Sequence, residues 1–167
     1  MANEKDIAYL PDEYLIAIGR MSVNYSFLED VLQISIWGLL GVEEEQWKII
    51  TYRQPINHMY KTLLALVKHQ FDGEQRRIFL NALHSANSAV TKRNRIAHGQ
   101  INLSTDAPKA LLNRSHKEDK EARFLYGRTP EDLHSIAKEL DMATKNIAHA
   151  LVLCGLLEPS DDTPSST

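Results

Sequence analysis

A chain of 167 residues with 43% apolar and 25% charged side chains has the make-up of one ordinary globular domain with a single substantial core, not of a disordered segment. No apolar run approaches the roughly 18 residues that cross a bilayer, which speaks against a membrane partner, and a single cysteine, Cys154, excludes an intrachain disulfide and suits a reducing cytoplasm. The net charge of −3 does not mark a nucleic-acid binder, yet residues 51–128 carry 14 basic against 6 acidic side chains while the flanking segments carry 5 against 16, a basic footprint inside an acidic protein.

The opening "MANEKDIAYL" is charged from its start and lacks the profile of a signal peptide. "PDEYLIAIGRMSVNYSFLEDVLQISIWGLLG" then reads as a long helix. Tyr14, Ile18, Met21, Tyr25, Leu28, Leu32 and Leu39 keep the three-four rhythm of a face buried on one side, with Pro11 in the first turn and Gly41 as the stop. "VEEEQWKII" predicts a short second helix whose acidic first turn complements the helix dipole. Pro55 opens a third, "PINHMYKTLLALVKHQF", which a turn at Asp72–Gly73 closes. A fourth helix runs from about Glu74 to Ala97 and stops at Gly99. Residues 100–128 form the one non-helical stretch of any length, a β-hairpin-like or loop insertion in which "QINLS", "KALLNRS" and "EARFLYG" are candidate strands. Thr129 caps a last helix with Asp132 as its acidic partner, and Leu133, Ile136, Leu140, Ala143, Ile147, Leu151 and Cys154 line its apolar stripe. The tail "EPSDDTPSST" is polar and proline-bearing, the composition of a disordered end. The fold class is all-α, an antiparallel helical bundle of four to five helices with one insertion before the last.

One residue does not fit the pattern of the fourth helix. At about 100° per residue, Ile78, Phe79, Ala82, Leu83, Ala86, Ala89, Val90, Ile96 and Ala97 all fall within roughly 80° of Arg93. Arg93 therefore occupies the middle of the apolar arc, where a solubilising charge has no reason to be. Asn94 and His98 lie together at the edge of that arc, one turn apart. A guanidinium keeps its proton, so placing it there demands a partner or a wet cleft. A carboxylate such as Glu29 or Asp30 would make it a structural arginine; a bound anion would make it a functional one. His98 ends the helix ahead of Gly99, where the partial negative charge of the helix terminus favours imidazolium and tunes the group for acid–base work near neutrality.

The segment "RNRIAHG", Arg93 to Gly99, resembles the signature of the HEPN superfamily: an arginine, a polar residue, three more residues and a histidine, with a small residue and a glycine flanking it. Spacing alone is uninformative, because Arg53–His58, Arg77–His84 and Arg128–His134 match a loose version of it. Only Arg93–His98 joins a polar second residue, a helix end and a following glycine. The helical layout is also similar, so the resemblance takes in most of the chain: one HEPN-like domain over 1–157, its insertion at 100–128, and a tail at 158–167.

The resemblance implies a homodimer that brings two motifs into one cleft, and a metal-independent endoribonuclease needing no cofactor. His98 would act on the ribose 2′-hydroxyl or the leaving oxygen, Arg93 would hold the scissile phosphate, and Asn94 would orient either. Lys92, Arg95, Arg114, Lys117, Lys120 and Arg123 are the candidate RNA contacts, with Lys109 beside them; Phe124 and Tyr126 are better read as packing than as stacking platforms. A toxin or phage-defence role with a protein antitoxin as partner falls within the same reading. Its competitor is a non-catalytic binding module that pairs with a nucleotidyltransferase-type protein. Metal catalysis has little support: no two histidines stand four apart with an acid between them, and there is no CxxC pair. The isolated glycines offer no phosphate loop, and Cys154 reads as core.

Overall fold

The computed structural model describes residues 11–43, 45–46, 49, 54–97, 100–103, 108–111 and 129–158. Four helices account for most of them: α1 (Asp12–Leu40), α2 (Ile56–Gln70), α3 (Gly73–Ala97) and α4 (Pro130–Leu153). Two four-residue strands, β1 (Gln100–Leu103) and β2 (Pro108–Leu111), pair antiparallel with Gln100 opposite Leu111 and Leu103 opposite Pro108. The candidate strand "EARFLYG" and the tail from 159 lie outside the described residues. Of the short helix expected at 42–50, the described Glu45, Gln46 and Ile49 are helical, and the Gln46 N–H donates to the Glu43 carbonyl at 3.0 Å. Among the described residues no helix is long and apolar enough to cross a membrane.

Local chemistry explains the helix ends. Pro11 and Pro55 stand just ahead of α1 and α2 and lend their carbonyls to the first turn: Pro11 accepts from the Tyr14 and Leu15 N–H groups, Pro55 from those of His58 and Met59. Both prolines sit where the missing N–H is no loss. Thr129 and Asp132 form the reciprocal cap at the start of α4. The Asp132 N–H donates to Thr129 Oγ1 at 3.3 Å, and the Thr129 N–H donates to Asp132 Oδ2 at 3.1 Å. At the other end Gly155 adopts a φ of 71°, the left-handed conformation in which a side chain is strained. That turn lets the Leu156 N–H reach the Leu151 carbonyl at 2.9 Å and the Gly155 N–H reach Val152 at 3.0 Å.

The chain divides into two compact units. One takes in residues 26–87 and 141–167, hence α2 and parts of α1, α3 and α4. Leu28, Leu32, Ile36, Met59, Leu63, Phe79, Leu83, Ile147 and Leu151 are fully buried there. Phe71 and Phe79 stack with ring centroids 6.1 Å apart, and Gln70 Nε2 donates to the Leu39 carbonyl at 2.6 Å. Cys154 is half-buried rather than core, because it follows the last helical residue, Leu153, where the chain turns through Gly155; burial still raises its thiol pKa.

The other unit takes in residues 1–25 and 88–140. Here Tyr14 and Ala17 of α1 and Leu133 of α4 form a buried cluster, against which Ile18 and Ile96 pack. Burial first, then the carboxylates of Glu13, Glu131 and Asp132, push the Tyr14 phenol above its usual pKa. Asn24 Nδ2 donates to the Ala137 carbonyl at 2.8 Å, tying α1 to α4. Lys92 Nζ meets both carboxylate oxygens of Glu139 at 2.7 Å, joining α3 to α4.

Candidate functional site

The face of α3 follows its apolar arc closely. Phe79, Ala82, Leu83, Ala86, Ala89 and Val90 are buried, Ile78 and Ile96 are half-buried, and Ala97, the last residue of α3, is exposed. Arg93 comes next along this arc. It is half-buried, and its guanidinium carbon lies 4.0 Å from the centre of the Tyr25 ring. That is the geometry in which the negative face of an aromatic ring attracts a cation. Arg93 Nη1 donates to Asn94 Oδ1 at 3.2 Å. Arg93 Nε is shielded from solvent and has no hydrogen-bond partner among the described residues.

Neither side chain solves the guanidinium's problem completely. Ring and amide accept part of its charge and one of its five N–H groups, and among the described residues no carboxylate pairs with it. An unsatisfied donor shielded from water costs about 1–3 kcal/mol. A residue that bears this cost inside an apolar arc is poorly explained as a folding device. Its remaining in-plane N–H groups suit an oxyanion, which takes two parallel hydrogen bonds from such a fork.

The structure brings Arg93 and Asn94 together, and places Lys92 and Arg95 on exposed positions of the same helical turn. Lys92 is already engaged by Glu139, a half-exposed pair that a phosphate would have to displace. His98, Arg114, Lys117, Lys120 and Arg123 lie outside the described residues, as do Lys109 at the level of its side chain and Phe124 and Tyr126. Among the described residues no group of three histidine, cysteine, aspartate or glutamate side chains is placed to hold a metal ion.

Tyr25 is the neighbour that sequence reasoning assigned to another task. Its spacing makes it one more member of the buried stripe of α1, while the partners the sequence suggests for Arg93 are the carboxylates Glu29 and Asp30. Aromatic rings are equally legitimate partners for a guanidinium, so listing the aromatics of facing stripes would have raised it as a candidate. Comparison of the chain with protein-family models, with curated proteins and with solved structures gave no match in any of the three.

Proposed function

We propose that the chain is a metal-independent endoribonuclease of the HEPN type, acting in the cytoplasm as a homodimer whose two motifs share a cleft. The observation that carries this reading is the state of Arg93: in an apolar arc, shielded at Nε, backed by an aromatic ring, and unpaired with any carboxylate among the described residues. A permanently charged group in that state awaits an anion, and the motif that contains it supplies a histidine four residues beyond Asn94.

In the proposed reaction the ribose 2′-oxygen attacks the adjacent phosphorus and the 5′-oxygen of the next nucleotide leaves. His98 takes the 2′-proton or delivers one to the leaving oxygen, with its counterpart in the second copy available for the complementary transfer. Arg93 holds the non-bridging oxygens as their charge grows, and Asn94 holds Arg93. The products are a 2′,3′-cyclic phosphate and a free 5′-hydroxyl. DNA, lacking the nucleophile, resists. A HEPN-like antiparallel bundle with its insertion at 100–128, a toxin or defence role, and a protein antitoxin as partner complete the reading.

The test is cleavage of a mixed RNA pool in EDTA by the wild-type chain, Arg93→Ala and His98→Ala, with sedimentation to measure assembly. Expected are a dimer, chelator-resistant cleavage, and loss of about 100-fold or more in both variants, the scale of removing one donor to a developing oxyanion. Equal, negligible activity in all three proteins transfers support to the non-catalytic binding module. A strict monomer removes the shared cleft.

A further inference from the structure

Tyr25 lies directly beneath Arg93, and the residue before it helps to hold α1 against α4. Asn24 Nδ2 donates to the Ala137 carbonyl at 2.8 Å, a bond between α1 and α4 one residue before Tyr25. The ring in turn lies 4.0 Å from the Arg93 guanidinium carbon. Two helices thus meet at one charged group, α1 supplying the ring and α3 the cation, with α1 bonded to α4 one residue away.

A guanidinium is flat, and what surrounds it determines which approach a ligand can use. Here one face is covered by the ring, Nη1 is engaged by Asn94 Oδ1, and Nε is shielded. The N–H groups left over have no hydrogen-bond partner among the described residues and lie in the guanidinium plane. A nucleobase cannot stack on the covered face, whereas an oxyanion can still meet the edge. We infer that Tyr25 is a positioning residue that holds Arg93 flat for edge-on capture of a phosphate group. The capture geometry follows from the contacts themselves; its use on the scissile phosphate of RNA rests on the function proposed above.

The experiment follows the Arg93 Nε–Hε resonance in the full-length, isotope-labelled chain, and titrates the protein with inorganic phosphate. A proton above an aromatic face is shifted upfield, so Arg93 stands apart from the other arginines in the wild type and in Tyr25→Phe. In Tyr25→Leu it returns to the ordinary arginine position. Phosphate moves the Arg93 resonance in the wild type and in Tyr25→Phe, and binds about 5- to 10-fold more weakly to Tyr25→Leu, the factor that corresponds to one partly desolvated cation–π contact. Tyr25→Met, which keeps the bulk and removes the ring, repeats the measurement if the leucine variant does not fold. An unchanged Arg93 resonance in the ring-less variant overturns the proposal, as does equal phosphate affinity across the series or phosphate binding that leaves Arg93 unmoved. Failure of both ring-less variants to fold also overturns it, since the ring is then structural. A wild type that binds phosphate at Arg93 but cleaves no RNA sinks the ribonuclease reading and leaves the positioning role of Tyr25 standing.

Discussion

Helices α3 and α4 are built on the same plan and treat it differently. In α4 the stripe of Leu133, Ile136, Leu140, Ala143, Ile147 and Leu151 is unbroken, and none of the six is more than 5% exposed. Its ends are closed by a threonine–aspartate cap and a glycine turn. In α3 an equally regular stripe runs from Phe79 to Val90 and then meets Arg93, with one donor shielded and unpaired among the described residues. Continuous burial needs no explanation beyond folding. An interrupted stripe does, because a cation there lowers the stability that an aliphatic residue would provide.

The difference is open to direct attack from the α4 side. Leu140 is fully buried, and Leu140→Ala is expected to cost about 2–5 kcal/mol, the range for truncating a core leucine. Urea denaturation measures it. A loss below about 1 kcal/mol would mean that the stripe tolerates gaps, and the contrast with α3 would dissolve. The matching change on α3 has the opposite sign. Arg93→Met removes the shielded, unsatisfied Nε–H, relieving about 1–3 kcal/mol, and forfeits a cation–π contact of about 0.5–1 kcal/mol. The net expectation is a gain of about 1 kcal/mol in stability together with lost RNA cleavage. Should Arg93→Met instead unfold the protein or destabilise it by more than about 2 kcal/mol, the arginine is structural.

What the sequence makes legible follows the same division. Helix positions, the threonine cap at 129 and the α4 stripe are local or periodic properties, and the three-four rhythm carries them without any knowledge of neighbours. The anomaly of Arg93 was equally visible, because it is a clash between one residue and its own helix. Its resolution was not. Tyr25 and Arg93 are 68 positions apart in the chain, and which stripe faces which is a tertiary property that periodicity leaves undetermined. Cys154 shows the converse failure: by spacing it continues the α4 stripe, but the helix ends one residue earlier and the turn at Gly155 leaves it half-exposed. Periodicity likewise gave no sign of the ion pair that Lys92 makes with Glu139.

That pair provides the smallest effect and the finest discrimination, since it links α3 and α4 through charge. Lys92 and Glu139 are 46% and 37% exposed, so their attraction is screened, and such a pair contributes about 0.2–1 kcal/mol. Lys92→Ala should therefore barely move the unfolding midpoint. Its effect on RNA binding is the informative one. If Lys92 exchanges Glu139 for a phosphate, Lys92→Ala lowers the slope of binding against salt by about one, whereas Glu139→Gln frees the ammonium and strengthens binding at low salt. The carboxylate would then be a competitor that RNA displaces, and α4 would regulate the site that α3 carries. If neither variant changes the salt dependence, Lys92 belongs to the folding side of the comparison, and Arg93 is left as the charge on this turn of α3 that folding does not explain.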